Sequence, residues 1–180
     1  MSKRAILVVD LQNEYWPSGN LPLHGIDAAA TNAARALAHA RAKGDLVVNI
    51  RHEMSDAPYF VPGSAGAEIN DALRPATDEP IITKHFPNSF RETVLNDLLQ
   101  EHGVEDVVVV GAMSHMCVDA TVRAANDLGY KTTTIHDACA TLDLTFDGIT
   151  TPAVQVHAAM MAALSIGYGD VISTESFLAH

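Results

Sequence analysis

The sequence predicts an α/β fold: a doubly wound, mostly parallel sheet of about six strands with helices on both faces, formed by residues 1–180 as one domain. Three observations predict it. Short, unbroken apolar runs recur along the chain, as in strands buried on both faces. Stretches of helical length separate them, several closed by a glycine. Isolated polar residues stand at the ends of the runs, where ligands bind in such sheets.

The elements follow in order. Residues 5–9 are apolar and stop at Asp10, a first strand. Residues 26–43 are alanine-rich, with Asp27 near the start and Gly44 past the end, and read as a helix. Residues 46–50 form a second buried strand. Residues 54–66 hold two prolines, two glycines and two aromatics and read as a loop, with a short helix at 67–73. A third strand, 80–83, ends at Lys84. Asn88 or Ser89 caps a helix running to about His102, stopped by Gly103. Residues 107–110 are the most strand-like stretch, closed by Gly111. A helix is expected from Cys117 to Leu128, a strand at 132–135 ending near Asp137, a long helix over 151–166 with proline in its first turn, and a weak last strand at Val171 and Ile172.

Charge and composition narrow the function. The chain has 22 acidic and 11 basic residues and a net charge of −11, and its basic residues form no stripe. It should repel phosphate backbones, which argues against nucleic acid and anionic membranes as partners. No apolar run approaches the ~20 residues that cross a bilayer, and the N-terminal run is too short for a secretory signal, so a cytoplasmic protein is expected. Two cysteines, Cys117 and Cys139, without zinc spacing, point to neither a disulfide framework nor a structural metal.

Three residues carry chemistry. Cys117 opens an expected helix, where the dipole and free amide N–H groups favour the thiolate and can hold an oxyanion; a small core thiol is the alternative. Asp10, at a strand end, can shuttle a proton or cap a loop. Lys84 is one of four lysines, and alone among them ends an apolar strand; it either meets a buried partner or reaches out to water.

These residues lie in blocks that resemble the isochorismatase-like cysteine hydrolases. Residues 8–13 (VVDLQN) are similar to that family's opening motif. Residues 83–90 (TKHFPNSF) are similar to its lysine segment, residues 111–121 to its nucleophile segment, and residues 137–141 (DACAT) to the strand end that follows. The resemblance implies a triad of Asp10, Lys84 and Cys117, a cis peptide between Ala112 and Met113, and an oxyanion site at the N–H groups of Met113 and Cys117. It implies cleavage of an amide, carbamoyl or lactam C–N bond of a small molecule through a thioester, with no cofactor, in a homodimer or homotetramer. Gln12, Tyr15, His52, Phe60, Phe86 and His115 are expected to bind substrate. Residues 114–117 (SHMC) resemble the streptothricin-hydrolase-like subgroup.

Other readings stay open. Nicotinamidase-like relatives carry an Asp-x-His metal motif after the second strand. Here the stretch reads Asn49-Ile50-Arg51-His52-Glu53, an incomplete ligand set, so no metal is expected. Arg51 either recognises a carboxylate or pairs with Glu53. Cys139 reads as a structural thiol. A non-catalytic binding module on the same fold is the non-enzymatic alternative.

Overall fold

A computed structural model describes residues 3–180, so Met1 and Ser2 of the N-terminal stretch lie outside the described residues. Six strands form one sheet: β1 (Arg4–Val9), β2 (Leu46–His52), β3 (Ile81–Lys84), β4 (Asp106–Ala112), β5 (Lys131–Ala140) and, after a separate hairpin, β8 (Asp170–Ile172). Their order is β3-β2-β1-β4-β5-β8 and every pairing is parallel. The chain runs outward from β1 in one direction and then from β4 in the other. The reversal falls between these two strands, the place where sheets of this kind bind their ligands, at the C-terminal strand ends.

Alternating side chains of the central strands feed two cores. Ile6, Val8, Val108 and Val110 pack with α1 (Ile26–Lys43) and α5 (Thr174–Leu178), while Leu7, Val9, Val107 and Val109 pack with residues of α2 (Leu95–Glu101), α3 (Asp119–Asp127) and α4 (Ala153–Gly167). Helix α1 lies on the sheet through buried Ala29, Ala33, Ala36 and Ala40, whose small side chains let the backbones approach. No helix among the described residues is long and apolar enough to cross a membrane.

Several boundaries differ from expectation. Strand β2 continues to His52 and places that side chain on the sheet. The 67–73 helix is replaced by two 3-10 turns, Ala65–Ala67 and Asp71–Leu73. Helix α2 starts only at Leu95, because residues 88–94 satisfy themselves with side-chain turns: Asn88 accepts from the Phe90 N–H, and the Thr93 hydroxyl donates to the Ser89 carbonyl. A hairpin that the sequence reading lacks, β6 (Leu144–Phe146) and β7 (Ile149–Thr151), precedes α4, and α5 is likewise additional. Strand β5 runs to Ala140, past a register shift opposite Val109 and Gly111.

Gly111 is required where it stands. Its φ is 133°, and a Cβ there would collide with the Val9 carbonyl. The missing side chain lets β4 pass close to β1 just before the chain turns into the site.

Candidate active site

Asp10, Lys84 and Cys117 come from three different strand ends. Asp10 follows β1 with φ 52°, a left-handed conformation that aspartate tolerates better than most residues. Its N–H donates to the Ile50 carbonyl, and its own carbonyl accepts from the Gln12 N–H two residues on. Lys84 ends β3, two strands away, and its side chain crosses beside the end of β2 to reach the centre. Cys117 sits after β4 in a turn of π-helix, Ser114–Val118, which follows a cis peptide between Ala112 and Met113.

The three side chains meet around the lysine ammonium. Lys84 Nζ lies 2.7 Å from Asp10 Oδ2 and 3.2 Å from Cys117 Sγ. A third neighbour is His52 Nδ1 at 2.8 Å. Asp10 and Lys84 are fully buried and Cys117 is 5% exposed. The Asp10–Lys84 contact is an ion pair that falls short of hydrogen-bond geometry, so neither carboxylate oxygen has a hydrogen-bond partner among the described residues.

Electrostatics assign the protons. Burial pulls the Lys84 ammonium down, but Asp10 and then Cys117 outweigh it, and the net shift is upward. Burial, then Asp10, push the Cys117 thiol well above its usual range despite Lys84. This corrects the expectation of a preformed thiolate: the cysteine precedes α3 rather than opening it, and desolvation and the adjacent carboxylate govern it. Burial and then Lys84 lower His52 from the ordinary 6.5 to about 4. The ring is therefore neutral at pH 7, and its Nδ1 accepts from the ammonium, which puts its own proton on Nε2.

The remaining expected residues divide. Gln12 is not a substrate contact: it is sealed, its amide donates to the carbonyls of His52 and Ala67, and its oxygen accepts from the His52 N–H. It fastens the loop to the end of β2. Tyr15 is buried, and its phenol is pushed well up by burial and then by Cys117 and Asp10. Phe60 is buried edge-on to Tyr15 and to His52, with ring centroids 5.1 and 5.5 Å away. Phe86 is half-buried beneath the Arg91 guanidinium, 3.6 Å from its ring centroid. His115 does not face Cys117 as a dyad; its Nδ1 lies 2.6 Å from Thr141 Oγ1. The Met113 carbonyl accepts from the N–H groups of Met116 and Val118, on either side of Cys117. Arg51 pairs with Glu53 at 3.2 Å. Cys139 is buried, its thiol donating to the Ile135 carbonyl and pushed up to about 12 by burial.

Sequence reasoning missed Glu14, Ser114 and His157. The buried Glu14 carboxylate accepts from the Asn20 and Phe60 N–H groups and fixes Phe60 in its left-handed conformation, φ 55°. Gly66 makes room for that carboxylate, since a Cβ there would strike it. An acid directly after the opening motif, followed at once by two aromatic residues, is the signal the sequence offers. Ser114 and His157 meet across 43 residues, and nothing local marks the pair.

Asp10, His52 and Cys117 offer ligand atoms within 4.8 Å of one another. These same atoms surround Lys84 Nζ, so the cation at their centre is the lysine's own. A divalent ion would have to displace a buried ammonium, and the set does not fit a metal while Lys84 stands in it.

Comparison with known proteins agrees with this architecture. The family model Isochorismatase domain matches residues 4–176. The isochorismatase family protein YddQ of Bacillus subtilis is 47% identical over 97% of this chain and 98% of its own. A streptothricin hydrolase of Streptomyces noursei is 34% identical over 78% of this chain and 56% of its own. The crystal structure of a candidate isochorismatase hydrolase from Oleispira antarctica superposes with a TM-score of 0.94 at 48% identity, covering 98% of this chain and 96% of that one.

Proposed function

Since the chain belongs to the isochorismatase family, a family of hydrolases, we propose that it cleaves an amide-type C–N bond of a small molecule with Cys117 as nucleophile. The observation that carries this reading is the buried contact of one ammonium with both a carboxylate and a thiol, at 2.7 and 3.2 Å. Relatives named maleamate amidohydrolase and nicotinamidase support the bond class, as does the streptothricin hydrolase.

The proposed reaction begins with the thiol. Asp10 accepts the Cys117 proton as the sulfur attacks the substrate carbonyl. Proton loss and C–S bond formation are concerted, because burial makes a resting thiolate unfavourable. Lys84 keeps its charge throughout and balances whichever neighbour is negative, the carboxylate or the sulfur. The N–H groups of Met113 and Cys117 hold the oxyanion. The C–N bond then breaks, the leaving nitrogen takes the proton from Asp10, and a thioester remains. A water molecule, deprotonated by Asp10, attacks the thioester; the acid leaves and the thiol is restored. Tyr15, Phe60 and Phe86 contribute an apolar wall, and His52 orients Lys84 rather than touching substrate.

The test is a panel of amides, carbamates and lactams, read by release of ammonia or amine. Turnover by the wild type is expected to fall at least about 10³-fold in Cys117→Ala, with a thioester on Cys117 seen by mass spectrometry after rapid acid quench. Undiminished turnover in Cys117→Ala would end the proposal.

A further inference from the structure

We propose that His157 is a positioning residue of the active site, acting through Ser114 on the turn that carries the nucleophile. This rests on the reading of Cys117 as an acyl acceptor. Ser114 is completely buried and follows Met113 directly, between the two N–H groups assigned to the oxyanion. Its hydroxyl lies 2.8 Å from His157 Nδ1 and 3.3 Å from the Ala140 carbonyl. The turn is held from a second side by the His115–Thr141 contact. Both ties lead to the C-terminal end of β5, but only the Ser114 tie reaches a different helix, α4.

The arrangement is unusual in its chemistry. Helix α4 carries no charged residue, and His157 is its one titratable side chain. A half-buried histidine needs a partner for its inward nitrogen, and here that partner is a sealed serine in the π-turn. The ring also lines an open cavity of about 400 Å³ with His24, Thr141, Asp143 and Val154. One ring thus touches solvent-accessible space and, through one hydroxyl, the residue next to Met113. A displacement of about 1 Å in such a turn is enough to lower acyl transfer by ~100-fold, because donors must meet the oxyanion and not merely the ground-state carbonyl.

The experiment separates oxyanion geometry from the sulfur itself. p-Nitrophenyl acetate is the acyl probe: the sulfur attacks the ester carbonyl, its proton passes to Asp10, p-nitrophenolate leaves, and Cys117 is acetylated. Iodoacetamide is the control, since alkylation of the same sulfur forms no oxyanion. In His157→Leu and in Ser114→Ala, acetylation of Cys117 is expected to slow by ~10- to 100-fold, with alkylation within about threefold of wild type. The double variant should be no slower than the slower single one. His157→Asn, which returns a hydrogen-bonding atom to the Nδ1 position, should recover most of the acetylation rate. Equal slowing of both reactions, or no slowing of acetylation, would overturn the positioning role. A wild type that is alkylated but never acetylated would overturn the nucleophile reading, and this inference with it.

Discussion

Lys84 is a buried ammonium with three close neighbours, Asp10, Cys117 and His52, and the imidazole of His52 is neutral at pH 7. That neutrality has a pH signature. His52 binds its proton near 6.5 when unfolded and near 4 when folded. Between those values the unfolded chain carries the extra proton, so stability rises with pH in this window. The contribution is complete above 6.5 and is lost as pH falls through 4, amounting to about 3 kcal/mol at most. Urea midpoints at pH 7 and pH 4.5 should therefore differ by less in His52→Asn than in the wild type; an equal drop in both would place the acid sensitivity elsewhere. At this scale the sequence is informative where a polar residue interrupts an apolar run, as at Asp10 and Lys84. It is silent where a contact joins two inconspicuous residues, as with Ser114 and His157. It misleads at Gln12, whose amide is engaged by backbone groups that only the folded loop brings together.

The elements that shape the site do so through backbone conformations, and two glycines distinguish close approach from simple turning. Gly111, with φ 133°, faces the Val9 carbonyl, while Gly148, with φ 75° in the β6–β7 turn, leaves open space where a methyl group on its Cα would meet nothing within 4 Å. Gly148→Ala should cost about 1 kcal/mol, the left-handed strain alone, and leave turnover intact. Gly111→Ala adds a collision with backbone and should cost well over ~2 kcal/mol while reducing turnover. Urea denaturation and amide hydrolysis on both variants check this, and equal costs would refute the close-approach argument. The hairpin is in fact announced by Asp147-Gly148, both left-handed in the structure, the pair that two-residue hairpin turns favour. The π-turn has no such announcement: a helical pattern from Cys117 onward does not reveal that the first residues are wound differently. Strand β5 outruns its expected end because pairing with β4 resumes at Cys139 and Ala140 after an irregularity that includes His136 and Asp137.

Over the whole molecule, the parallel sheet is legible because alternating strands and helices admit few arrangements. The order of the strands is not, since no residue pattern says which side of β1 the next strand takes. That order has a consequence for robustness. Strand β3 is four residues long, lies at the margin of the sheet and is held by β2 alone, yet it supplies the ammonium at the centre of the site. Short marginal strands open at lower free energy than central ones. In a urea titration, hydrolysis should consequently disappear at a lower concentration than helix circular dichroism, and coincident midpoints would show that β3 does not open by itself. Peripheral fraying and chemical competence are thus wired together: a molecule whose interior is still entirely folded can already be silent, and it regains its voice only when the last strand to dock has returned.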